Sequence, residues 1–144
     1  MQVMEDPKEL TRFATDFLKL QGATVVGVVT KEMLAGGPPS TDLDYVLPGA
    51  KSAVCFAVPF DQEKIERYLA KEDHAGHQDD NFHTNIFTTG LAVALAYYWN
   101  QHGIPSYGVP SNAVYRQDTP RGMADFIPDI SHRYLAVRSG VGWF

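Results

Sequence analysis

Two short apolar runs rich in β-branched residues, Thr24 to Val29 (TVVGVV) and Ser52 to Pro59 (SAVCFAVP), constrain the fold most strongly. Each is too short and too evenly apolar to be the half-solvated face of a helix, so each reads as a buried strand. A strand apolar on both faces must be covered on both, which predicts helices layered on either side of a sheet.

Helical segments are present to do the covering. Asp6 and Pro7 form an N-cap followed by proline at the first helical position, and Leu10, Phe13, Ala14, Phe17 and Leu20 then recur at helical spacing up to Gly22. Asp61 to Ala70 predicts a short helix. The longest periodic segment runs from Phe82 to His102, with Phe87, Leu91, Ala94, Leu95 and Tyr98 on one face and Gly103 as its stop, and is expected to be the central helix. Ser131 caps a last helix, His132 to Ser139, closed by Gly140.

The connections read as follows. Gly36 to Thr41 is a loop tip, and Pro48 with Gly49 turns the chain into the second strand. KEDHAGHQDDN, from Lys71 to Asn81, is expected to be a solvated loop. Ile104 to Val109 is expected to be a third strand, and Pro110 to Pro128, with three prolines, an irregular connection of the kind that often carries function. The expectation is therefore one α+β domain spanning residues 1–144, a mixed sheet layered with helices.

Composition narrows the chemistry. The net charge of −5 argues against a general nucleic-acid binder, since affinity for phosphate backbones comes from clustered Lys and Arg. Leu91 to Trp99, the longest apolar run, is about half a membrane span, and MQVMEDPKEL lacks the basic and apolar stretches of a signal peptide. A cytoplasmic protein with no membrane partner is expected. The single cysteine, Cys55, permits no disulfide and alone ligates neither an iron-sulfur cluster nor a thiolate zinc site. As a mid-strand residue it reads as a small apolar side chain rather than a nucleophile. His74, His77 and His83, interleaved with Asp79 and Asp80, have the residue types of a divalent metal site, but their spacing places no two imidazoles at i and i+4, so no metal centre is expected. Neither GxSxG nor GxxxxGK[ST] occurs, and no dinucleotide fingerprint is present.

The most informative stretch is SHRYLAVRSGVGWF, from Ser131 to Phe144. A basic helix face of His132, Arg133 and Arg138 precedes Gly140 and Gly142, which permit close backbone approach or left-handed dihedrals, and then Trp143, suited to a flat ligand or a domain contact. This run resembles the form HRxLAxxAGLGWxGK of the epoxyqueuosine reductases and their relatives, the cobalamin-dependent iron-sulfur reductases that include reductive dehalogenases. YVLPGAKSAVCFAVPF is similar to the turn and strand of that family, and Asn81, Phe82 and His83 to its Asp-Tyr-His, so the resemblance spans roughly residues 8–144 in order.

The resemblance implies a nitroreductase-like, cobalamin-processing-like domain that carries base-off cobalamin at its junction with a ferredoxin-type module, in cis or in trans, holding two 4Fe-4S clusters. The chain is then expected to be the N-terminal portion of a longer reductase, inactive alone and prone to self-association through Trp143 and Phe144. It implies cofactor contacts from His83, His132, Arg133, Gly140, Gly142 and Trp143, and a small-molecule or modified-nucleoside substrate. Replacing Gly140 by a β-branched residue is expected to block the cofactor and leave the fold intact. Epoxyqueuosine reductases place a proton-donating aspartate seven residues before the motif arginine, where this chain has Phe126. Dehalogenases use a tyrosine beside a basic residue, a chemistry available at Tyr115 and Arg116; with Asp129, close to Phe126, these are the candidate catalytic residues. The alternatives are a stand-alone corrinoid-handling module and a flavin-binding nitroreductase-like domain, both without clusters.

Overall fold

The structure is a computed structural model that describes residues 6–111, 114–119, 121 and 123–143. Four helices and two strands follow in the order α1 (Pro7–Leu20), β1 (Val25–Thr30), β2 (Ser52–Ala57), α2 (Gln62–Leu69), α3 (His74–Gln101) and α4 (His132–Arg138), with single 3-10 turns at Pro39–Thr41 and Leu43–Tyr45 between the strands. The architecture is α+β. No helix among the described residues is long and apolar enough to cross a membrane.

β1 and β2 pair antiparallel, with Gly27 opposite Cys55 and Val29 opposite Ala53. Strand alternation then sends side chains to two separate cores. Val26, Val54 and Phe56 meet Ala14 and Leu18 of α1 and Leu91 and Leu95 of α3 on one face. Val29, Ala53 and Cys55 meet Leu135 of α4, together with Leu34, Leu43 and Ile130, on the other. The predicted layers on both faces are present; on the second, α4 is the only helix among the described residues and shares the cover with loop residues Leu34, Leu43 and Ile130.

The helix ends follow their caps. Asp6 accepts the Lys8 N–H at 3.0 Å, with Pro7 at the first helical position. Asp61 accepts the Lys64 N–H at 3.1 Å, and Ser131 the Tyr134 N–H at 3.3 Å. Each such cap contributes about 1 kcal/mol by satisfying an N–H that the helix leaves open.

Three expectations need correction. First, the segment expected as a solvated loop over 71–81 is helical from His74, capped by Asp73, whose carboxylate accepts the Gly76 N–H at 2.9 Å. These first turns are held by aromatic and polar contacts. The His77 ring lies 4.7 Å from that of Tyr68 and 5.6 Å from that of Phe60, and the Asp80 carboxylate accepts the Asp61 N–H at 2.8 Å. α2 and α3 are thus joined by imidazole, aromatic and carboxylate contacts that leave no hydrophobic period to read.

Second, Ile104 to Val109 is not a strand. The Asn100 side chain donates to the Ser106 carbonyl at 2.8 Å and accepts the Ser106 N–H at 3.0 Å, and the Ser111 hydroxyl donates to the Asn85 carbonyl at 3.0 Å. The segment runs back along α3, taking polar partners from the helix instead of from a strand. Third, the sheet among the described residues is in consequence a two-stranded antiparallel pair, not mixed.

α3 is less enclosed than its composition suggests. Leu91, Leu95 and Ala96 are buried, whereas Phe82, Ile86, Val93 and Tyr97 stay exposed on the opposite side. Tyr98 stacks on Phe13 of α1, with ring centroids 4.6 Å apart.

Candidate functional site

The irregular connection between α3 and α4 is pinned by its own short pairing. Tyr115 bridges Pro128, the Arg116 N–H donates to the Ile127 carbonyl at 2.9 Å, and the Asp129 N–H donates to the Val114 carbonyl at 2.7 Å. This brings two of the three candidate catalytic residues, Tyr115 and Asp129, to the wall of one open concavity of about 320 Å³. Tyr45, Val46, Tyr107, Val114 and Gln117 complete that wall.

Arg116 is buried beneath it, at 6% exposure. Its Nε and Nη2 donate to the two carboxylate oxygens of Asp118 at 2.9 and 2.6 Å, its Nη1 donates to the Pro39 carbonyl, and its guanidinium lies 4.0 Å from the centroid of the Tyr45 ring. Asp118 is held below the usual carboxylate range by that ion pair. The Gln117 N–H donates to the Tyr45 hydroxyl at 2.8 Å. Arg116 therefore acts here as a clamp between the 114–130 loop and the 38–46 loop, its donors directed into the protein.

Asp129 is also 6% exposed, and its Oδ1 accepts the Ile130 N–H at 2.7 Å. Three residues later, at the first position of α4, His132 retains surface exposure, but the protein atoms that desolvate its ring hold its pKa below the ordinary imidazole value; the negative charge of Asp129 and backbone groups of Ile130 and Pro110 oppose that shift. Arg133 is exposed beside it. Tyr115 packs edge-on against Phe126, centroids 5.7 Å apart, and Phe126 is 71% exposed with φ of 52°, a backbone state unusual for a side chain of that size.

Gly140 and Gly142 separate in role. Gly140, at φ 81°, forms the left-handed residue of a Schellman turn: its N–H donates to the Val137 carbonyl at 3.2 Å, and the Val141 N–H to the Ala136 carbonyl at 2.9 Å. A β-carbon on Gly142 would meet nothing within 4 Å, so its backbone is open to approach. Trp143 is 90% exposed; Phe144 lies outside the described residues. Beneath the turn, Cys55 has its thiol pushed up by burial, with a hydrogen bond to Ser139 partly opposing the shift, which suits a packed thiol rather than an ionised one.

His83 is not part of the 320 Å³ wall. It lies on the exposed third turn of α3, where its Nδ1 is 2.9 Å from the Asp79 carbonyl. Among the described residues no group of three or more His, Cys, Asp or Glu side chains is gathered to hold a metal ion. A larger hollow, about 520 Å³, is lined by Glu9, Arg12, Phe13, Asp16, Phe17 and Leu20. All of these belong to α1, so no second element contributes a converging group.

The sequence reading missed Tyr45, Tyr107, Gln117 and Asp118. Asp118 was accessible from its spacing, since an acid two residues after an arginine in an irregular segment can close a bidentate pair. Tyr45 and Tyr107 carried no such local signal. No family model matches this chain, and no curated protein or solved structure matches it either.

Proposed function

We propose that this chain is the cobalamin-binding portion of an iron-sulfur-dependent, cytoplasmic reductase of the epoxyqueuosine reductase and reductive dehalogenase type, with a nitroreductase-like fold. The observation that carries the reading is the folded form of the motif that resembles that family. Ser131 to Trp143 makes a capped helix, a Schellman turn and then an open backbone at Gly142 ending on an exposed Trp143, with His132 and Arg133 on the same helix.

These residues fit a corrin, which is broad, flat and fringed with amides: exposed donors, a stretch of backbone without a side chain, and an indole face are what such a ligand uses. A cobalamin held there would supply a redox-active cobalt, chemistry that no side chain can provide. The protein's own part is to bind and orient. Arg133 would donate hydrogen bonds to it, His132 would donate or accept one at its ring nitrogens, and Trp143 would help to exclude water. Tyr115, on the wall beside Asp129, is positioned to hold a proton at its phenol oxygen for a small-molecule or modified-nucleoside substrate. Arg116 serves by fixing the loop that carries Tyr115. A ferredoxin-type module with two 4Fe-4S clusters, in cis or in trans, would supply the second wall and the electrons.

Difference spectroscopy on addition of hydroxocobalamin tests this reading. Saturable binding, micromolar or weaker for a site with one wall, is expected, reduced about tenfold or more by Gly142→Val and by Arg133→Ala with unchanged circular dichroism. Absence of saturable binding, or binding indifferent to both substitutions, overturns it.

A further inference from the structure

The corrinoid reading uses only Tyr115 of the concavity at the 114–130 loop and leaves the rest of its composition without a role. Its wall takes one tyrosine from each of three separate stretches, Tyr45, Tyr107 and Tyr115, and one carboxylate, Asp129. We propose that it binds an organic ammonium cation, a quaternary or alkylated amine.

A carboxylate at 6% exposure is costly unless charge or hydrogen bonds compensate it, yet among the described residues Asp129 forms no ion pair, and its one hydrogen bond is from the Ile130 N–H to Oδ1. Arg116, the nearby buried cation, is committed to Asp118 and the Pro39 carbonyl. His132 carries little positive charge near neutrality, being held below its ordinary value. Among the described residues no side chain supplies the compensating positive charge, which a cationic ligand would.

The aromatic residues select the kind of cation. Phenol rings attract a cation to their faces, most strongly one whose charge is spread over alkyl groups and costs little to desolvate. The ring of Tyr45 already holds the Arg116 guanidinium at 4.0 Å on one side, and its hydroxyl is fixed by the Gln117 N–H. Val46 and Val114 on the same wall suit alkyl substituents rather than a hydrated ammonium. About 320 Å³ accommodates a trimethylammonium head with a short chain. Anions are disfavoured, because no free Lys or Arg lines the wall.

Calorimetric titration with choline, at constant ionic strength, is compared with its neutral isostere 3,3-dimethylbutan-1-ol. Choline is expected to bind saturably and the isostere at least tenfold more weakly. Asp129→Asn, which keeps an acceptor for the Ile130 N–H, is expected to weaken choline at least tenfold. Tyr107→Leu, at a position 53% exposed, is expected to weaken it about threefold or more. Equal binding of the neutral isostere, no saturable choline binding, or unchanged affinity in both variants overturns the proposal. Should Asp129→Asn fail to fold, the isostere and Tyr107→Leu decide. The inference does not rest on the corrinoid reading: neither probe carries a corrin, and a failed hydroxocobalamin titration leaves this prediction as it stands.

Discussion

A β-carbon placed on Gly27 would sit 2.5 Å from the carbonyl oxygen of Ser139 and 3.0 Å from Cγ2 of Val141. The centre of β1 is thus the seat of the turn that ends α4, and the motif helix is docked through a residue more than a hundred positions upstream. Gly27→Ala forces the new methyl against the Ser139 backbone carbonyl, and a loss of about 1 to 3 kcal/mol is expected, the usual cost of overpacking. Gly90→Ala, on the exposed side of α3 with nothing within 4 Å of the new methyl, is expected to stabilise by about 0.5 to 1 kcal/mol. Urea unfolding of the pair checks both signs.

The turn itself needs glycine. At φ 81° an alanine at position 140 pays about 1 to 2 kcal/mol for the left-handed backbone, although its β-carbon would meet open space. Replacement of Gly140 by a β-branched residue is consequently expected to lower stability, contrary to the expectation from sequence of an intact fold. Thermal unfolding of Gly140→Ala, with Gly142→Ala close to the parent, checks this.

Arg116→Lys is expected to destabilise by about 2 kcal/mol, because an ammonium cannot reproduce the bidentate fork on Asp118 while reaching the Pro39 carbonyl and covering Tyr45. The loss should also free the Tyr45 hydroxyl from its fixed partner at Gln117. A lowered urea midpoint with unchanged slope, together with sharper line narrowing of loop resonances than of helix resonances, is the expected signature.

His132 gives a pH dependence of defined sign. Its folded pKa lies below the ordinary 6.5, so the unfolded chain takes up the proton more readily. The associated stability is complete above about pH 6.5 and is lost progressively as the pH falls below it. Chemical denaturation between about pH 7.5 and pH 5.5 should show the parent losing stability on acidification, and His132→Gln losing less. An equal slope in both would assign the pH dependence to other groups.

Local rules carried much of the fold. The caps at Asp6 and Ser131, the two apolar runs and the stop at Gly140 could be read from residues a few positions apart, because a cap or a strand face is settled within one turn or one pleat. The first turns of α3 and the segment after Gly103 could not. Their stability comes from His77 on Tyr68 and Phe60, and from Asn100 on Ser106, contacts with no apolar period.

The candidate site divides in the same way. Tyr115, Asp129 and the run from His132 to Trp143 were visible as residue types in an irregular segment and a motif. The clamp and the tyrosine wall were decided by tertiary structure alone: Arg116 meets a carbonyl 77 residues away and Gln117 a hydroxyl 72 residues away. Chain folding must close those loops before either contact exists, so no local preference of the sequence encodes them.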